Sequence, residues 1–223
     1  MPNWCSSELS IQGDSEEIKR FMLANMGLPA KYAPTDWEIR EGYQYPTEPR
    51  FSFNALVPTP QEVLDIGYDG HTKLQKLAAE LGETAVAGLI DGYHWNIENW
   101  GTKWDIYCDD LSLEKCGWEE GCTEVTLYFD TAWSPPVAWL FQVAPMFPQL
   151  HFELHYAEPG MCFAGDIVCE GESSSIDEYD FERCQAMFGY DDEECDEEAE
   201  LSDGESSVPV QAQGEEDNHG IRD

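Results

Sequence analysis

Four stretches of this chain alternate apolar and polar residues with a period of two, and that pattern restricts the fold to a sheet with one dry face and one wet face. Leu9 and Ile11 alternate with Glu8, Ser10 and Gln12, and Trp104, Ile106 and Cys108 with Asp105, Tyr107 and Asp109. Val125, Leu127 and Phe129 alternate with Glu124, Thr126, Tyr128 and Asp130, and Leu150, Phe152, Leu154 and Tyr156 with His151, Glu153 and His155. The second and third runs are expected to pair as an antiparallel hairpin across an acidic, tryptophan-containing loop. The turn Glu158 to Met161 should open a last strand running through Cys169.

Two helices punctuate these strands. Asp14 and Glu17 make a capping-box-like start, Ile18, Phe21, Met22 and Met26 repeat at helical spacing, and Gly27 supplies a stop. Ser134 is placed to cap a second helix with Pro135 at its first position, Val137, Leu140, Phe141 and Ala144 as its buried stripe, and Pro145 and Pro148 beyond it. The resulting order, β-α-insertion-β-β-α-β-β, is an α+β, ferredoxin-like antiparallel sheet of the split β-α-β kind with an added C-terminal edge strand. One domain over residues 1–170 follows, with 28–97 as a mostly helical insertion of short helices near 60–66, 74–81 and 84–89. Residues 171–190 have the spacing of a peripheral amphipathic helix, with Phe181, Cys184 and Phe188 on one face. From Asp191 to Asp223 the chain is acidic and polar without an apolar period, so it is expected to be a disordered tail.

Charge narrows the function. The net charge is −35, and residues 166–223 hold 21 Asp and Glu against two Lys and Arg. Such a surface repels phosphate backbones, so direct nucleic-acid binding is disfavoured and the expected partner is basic, cationic or neutral. Nothing at the N-terminus reads as an export signal, and no segment reaches the length of about 20 apolar residues that spans a bilayer. The expectation is a cytoplasmic protein that does not enter membranes, with its eight cysteines reduced and the strand cysteines Cys5, Cys108, Cys162 and Cys169 acting as small buried hydrophobes.

The octet Glu98 to Asp105, E-N-W-G-T-K-W-D, packs two indoles, a glycine and a lysine into one turn-sized segment. It reads as a staple, with Gly101 allowing the turn, Trp100 and Trp104 anchoring it, and Lys103 reaching a carboxylate. The alternative is a recognition surface, and then Trp100, Lys103 and Trp104 are its binding residues, with Trp133 and the nearby Asp130 as a second element. On a strand, H-F-E-L-H puts His151, Glu153 and His155 on one face as weak metal-ligand candidates, although same-face neighbours stand about 7 Å apart. No phosphate-cradling loop, nucleophile elbow or H-E-x-x-H motif occurs, so no catalytic residue and no cofactor is expected.

Three segments, M-P-N-W-C-S (Met1 to Ser6), the octet, and F-D-T-A-W-S-P-P (Phe129 to Pro136), together resemble the YubB ferredoxin-like domain family carried by phages and plasmids. The resemblance covers about residues 1–170 and implies the same fold class and a mobile-element setting. The function expected from it is that of a non-catalytic accessory protein that binds a host or viral protein. An acidic nucleic-acid mimic blocking a DNA-handling defence protein is the alternative. Less favoured is a metal-dependent enzyme or small-ligand binder built on the His-x-Glu-x-His face.

Overall fold

In a computed structural model, which describes residues 3–106 and 111–188, three of the four alternating runs lie in one five-stranded antiparallel sheet. Its strands are β1 (Trp4–Gln12), β4 (Glu124–Ala132), β5 (His151–Glu158), β6 (Phe163–Glu170) and β7 (Ser173–Glu178), in the spatial order β4-β1-β5-β6-β7. Helix α1 (Ser15–Ala24) follows β1, and α8 (Val137–Val143) joins β4 to β5. Because β1 lies between β4 and β5 and is antiparallel to both, β4-α8-β5 is the split β-α-β unit of a ferredoxin-like fold.

Period two explains the sheet's sidedness. Cys5, Leu9 and Ile11 of β1, Val125 and Leu127 of β4, Phe152 and Leu154 of β5, and Ile167 and Cys169 of β6 are buried. Against them pack Ile18, Phe21 and Met22 of α1 and Trp139, Leu140 and Val143 of α8. Asp14 caps α1 as expected, its carboxylate accepting from the Glu16 amide, but the Glu17 carboxylate accepts from Arg20 instead of completing a capping box. The α8 cap is not: the Ser134 hydroxyl donates to the Gly101 carbonyl, and the helix begins at Val137.

The span between α1 and β4 holds a two-stranded ribbon, β2 (Met26–Gly27) with β3 (Arg50–Phe51). It also holds the short helices α2 (Asp36–Glu41), α3 (Phe53–Leu56), α4 (Gln61–Ile66), α5 (His71–Leu81), α6 (Glu83–Val86) and α7 (Gly92–Asn99). Gly27, expected as a helix stop, is instead part of the ribbon, where a Cβ would stand 2.9 Å from Ala55. The span shares the main core through Phe51 and Phe53. Phe51 meets Phe21 and Trp139, and Phe53 meets Trp139, Trp100 and Phe129.

Two strand expectations change. Residues 104–106 are irregular and do not pair with β4, whose neighbour is β1; Tyr107 and Cys108 of that expected run lie outside the described residues. The reason is local chemistry. Asp105 turns its carboxylate inward to the Ser52 hydroxyl (2.6 Å) and the Phe53 amide (2.7 Å), while Trp104 faces out and Ile106 is buried, which breaks the alternation. The missing strand is replaced at the other edge by β7, within the segment expected to be helical. All six of its residues are exposed, so no apolar period marks them, and β7 forms by pairing its backbone to β6. β6 is therefore interior and not the edge strand. Helix α9 (Phe181–Phe188) comes after it, with Asp180 accepting from the Arg183 amide and Cys184 buried, while Phe181 is exposed. The expected disordered tail from Asp191 lies outside the described residues.

Candidate functional site

The octet is laced to the end of β4. The Thr102 hydroxyl and the Lys103 amide both donate to the Ala132 carbonyl (3.1 and 3.4 Å), and the Trp139 amide donates to the Trp100 carbonyl (3.2 Å). Gly101, at φ +84°, lets the loop pass the start of α8, since a Cβ there would stand 3.0 Å from the Val137 amide nitrogen. This lacing separates the two indoles of the octet. Trp100 is fully buried, with its indole N–H donating to the Val57 carbonyl (2.9 Å), whereas Trp104 is 37% exposed.

At the surface, Trp104 meets two more indoles. Its ring lies 6.1 Å from that of Trp4, and the Lys103 ammonium sits 4.7 Å from the Trp104 ring and 4.6 Å from the Trp133 ring. Lys103, expected to reach a carboxylate, is held between two aromatic faces. Trp4 and Trp133 are 49% and 46% exposed. Trp133 also adopts a left-handed backbone, φ 77°, stabilised by its amide donating to the Asn3 carbonyl (3.0 Å). A bulky residue in that region is strained by about 1–3 kcal/mol. Of the five binding candidates, the structure gathers Lys103, Trp104 and Trp133, sends Trp100 to the core, and places Asp130 on the open sheet face, where Ser6 donates to it (2.8 Å). Trp4 was missed, although it occupies the polar parity of β1, where an indole is out of place.

The open face carries a second array. Register aligns Tyr128, Glu8, His155, Asp166 and Asp177 in one row across all five strands. His155 Nδ1 lies 2.6 Å from Asp166, whose other oxygen accepts from the Tyr179 hydroxyl (2.5 Å). His155 Nε2 is 3.4 Å from Glu153. His151 instead faces Glu170 at 2.9 Å. His151 is thus paired away from His155 and Glu153, and no group of three or more His, Cys, Asp or Glu among the described residues is placed to hold a metal ion. A groove of about 580 Å3 runs along Glu8, Tyr128, Asp130, His155, Asp166 and Tyr179.

Electrostatics argue against His155 as a general base. The hydrogen bond with Asp166 holds its imidazole above the ordinary value, against partial burial, and Glu153 and Glu8 add to the effect. Asp166 goes the other way: burial would raise it, but hydrogen bonds from Tyr179 and His155 hold it below its ordinary value. An imidazole so placed favours its charged form, in which it has no free lone pair to accept a proton. The stability it contributes is fully present below the ordinary imidazole value and lost as pH rises through the elevated one. Ring-proton NMR should find His155 titrating above the ordinary imidazole value, and Asp166→Asn should bring it down. Titration of His155 at or below that ordinary value would refute the pairing.

Other features are quieter. Cys5 and Cys169 are buried free thiols, and burial pushes them up to about 12 and about 11, which leaves them protonated and inert. No helix among the described residues is long and apolar enough to cross a membrane.

Comparison with known proteins agrees with this architecture. Residues 103–205 match the family model described as a ferredoxin-like domain in Api92-like protein, a match that starts at Lys103 of the octet. The description names Api92-like proteins and not the YubB family. A crystal structure of a protein api92 from Yersinia pseudotuberculosis superposes with a TM-score of 0.53, at 10% identity, over 81% of this chain and 99% of that one. At that identity the likeness is one of fold. No curated protein matches.

Proposed function

We propose that the protein is a non-catalytic accessory protein of a phage or plasmid that acts in the cytoplasm by binding a partner protein on the surface formed by Trp4, Lys103, Trp104 and Trp133. The observation that carries this reading is a cluster of three partly exposed indoles, Trp104 and Trp133 on either side of Lys103 and Trp4 against Trp104, with Trp133 on strained backbone. Exposed indoles lose hydration cost on docking, and tryptophan and aromatic clusters dominate the energetics of protein interfaces. The resemblance to the YubB family supports the mobile-element setting.

The test uses Trp133→Gly and Trp104→Ala. Glycine adopts the left-handed backbone freely, so Trp133→Gly should melt within about 1 kcal/mol of the wild type. Affinity capture from infected or plasmid-bearing cells should recover a partner with the wild-type chain, and at least about tenfold less with either variant, as for loss of one interface anchor. Equal recovery with folded variants would overturn this reading.

One observation favours a second reading, the nucleic-acid mimic. Asp130, Glu8, Glu153, Asp166, Glu170 and Asp177 are fixed on one face of a rigid sheet, and such a surface can occupy a basic groove. Three of these carboxylates, Glu153, Asp166 and Glu170, are already engaged by His151 and His155, which weakens the field. On this reading the captured partner is a DNA-binding protein that duplex DNA displaces, and Glu8→Gln with Asp177→Asn abolishes its capture while Trp133→Gly does not.

A further inference from the structure

A second cavity, of about 550 Å3, opens beside the octet and has a different chemistry from the sheet face. It is lined by the rings of Tyr32, Tyr43, Tyr45, Tyr68 and Trp104, with two carboxylates, Glu38 and Asp105. No Lys, Arg or His is among its described lining residues. The rings stand nearly perpendicular in pairs, Tyr32 against Tyr68 (5.6 Å, 70°) and Tyr43 against Tyr45 (5.2 Å, 80°), so faces and edges alternate around the space.

The Glu38 anion is fixed in place. Its Oε2 accepts from the Thr35 amide (2.6 Å), its amide donates back to the Thr35 hydroxyl (3.2 Å), and its Oε1 accepts from the Tyr45 hydroxyl (3.1 Å). Burial works to raise this carboxyl, but those hydrogen bonds hold it below its ordinary value, so it is charged at neutral pH. The Tyr32 hydroxyl is tied to Asn96 (2.6 Å). A cation is already drawn to one of these rings: the Lys31 ammonium, which is not among the lining residues, lies 5.3 Å from the centre of Tyr45.

Ring faces carry negative potential and attract cations, most strongly those that give up their water cheaply. A small hard ion would need a converging shell of charged oxygens, and no group of three or more His, Cys, Asp or Glu among the described residues is placed to supply one. A neutral apolar ligand would gain from the rings but leave a fixed carboxylate beside it uncompensated. We propose that this cavity binds an organic cation carrying a methylated ammonium group, with the tyrosines and Trp104 around the methyl groups and Glu38 as the counter-charge. The group can belong to a free small molecule or to a methylated lysine side chain.

Calorimetric titration of the full chain tests this with choline, with Nε-trimethyl-lysine amide, and with 3,3-dimethylbutanol, the uncharged isostere of choline. At least one cation should bind at one per chain, about tenfold or more tighter than the isostere. Tighter binding of choline assigns the site to a free metabolite-sized cation, and tighter binding of trimethyl-lysine to a protein side chain. Tyr43→Leu and Glu38→Gln should each weaken binding about fivefold or more with unchanged melts, since glutamine retains the capping geometry. Trp133→Gly should leave this binding unchanged, so the cavity and the partner surface stand or fall separately. The proposal is overturned if neither cation saturates by about 10 mM, near the weak end of useful affinity. It is equally overturned if the isostere binds as tightly or both variants bind as the wild type does.

Discussion

Trp100→Ala should destabilise the protein by roughly 3–5 kcal/mol, the range for emptying a buried indole site, whereas Trp104→Ala should stay within about 1 kcal/mol of the wild type. The two indoles are four residues apart in the same octet, but only one is enclosed. Trp100 touches Phe53 and Trp95, joining the core beneath α8 to the helical span, and its N–H satisfies the Val57 carbonyl. Alanine removes the ring contacts and orphans that carbonyl, and each loss adds to the other. Trp104 forfeits its contacts with Trp4 and Lys103, at the surface. Urea denaturation of both variants measures the contrast. A Trp100→Ala midpoint equal to the wild type would mean that the octet is not a structural staple.

The part of this fold that hydrophobic period can reveal was legible in the sequence, and the rest depended on forces that leave no period. β1, β4 and β5 declare themselves because each buries one face and wets the other. β7 declares nothing, since Ser173–Glu178 is exposed on both faces and owes its conformation to the β6 edge. The run Trp104, Ile106, Cys108 has the right alternation but the wrong context, because hydrogen bonds offered by Ser52 and Phe53, more than fifty residues upstream, draw Asp105 inward. The surface site followed the same division. Lys103, Trp104 and Trp133 stood out by composition, but their meeting depends on Thr102 and Lys103 docking on Ala132, a contact across the fold. Trp4 could have been found by asking which polar-parity positions hold aromatics, the question that already set Tyr128 on the open face. The tyrosine cavity could not, since Tyr32, Tyr45 and Tyr68 are scattered along a stretch with no period of its own.

Between about pH 5 and about pH 8 the wild type should lose roughly 2.5 kcal/mol more stability than Asp105→Asn, because a single carboxyl changes its proton affinity on folding. Burial pushes Asp105 up to about 7, and hydrogen bonds from Ser52 and from the amides of Phe53, Asn54 and Ile106 only partly offset that push. Its unfolded value is the ordinary one, near 3.8, so in the interval between the two the folded chain binds a proton that the unfolded chain releases. The stabilisation is therefore complete below about pH 4 and disappears as pH rises through about 7, amounting to roughly 4 kcal/mol in all. Asparagine cannot ionise, and its amide, facing backbone donors, carries a cost that does not vary with pH. The variant is thus expected to be less stable at low pH and to close the gap at high pH. Repulsion among the many other carboxylates grows with pH in both proteins and cancels in the difference. Urea titrations of the pair at the two pH values give the slope directly, and parallel slopes would mean that Asp105 ionises as freely in the folded protein as in the unfolded chain.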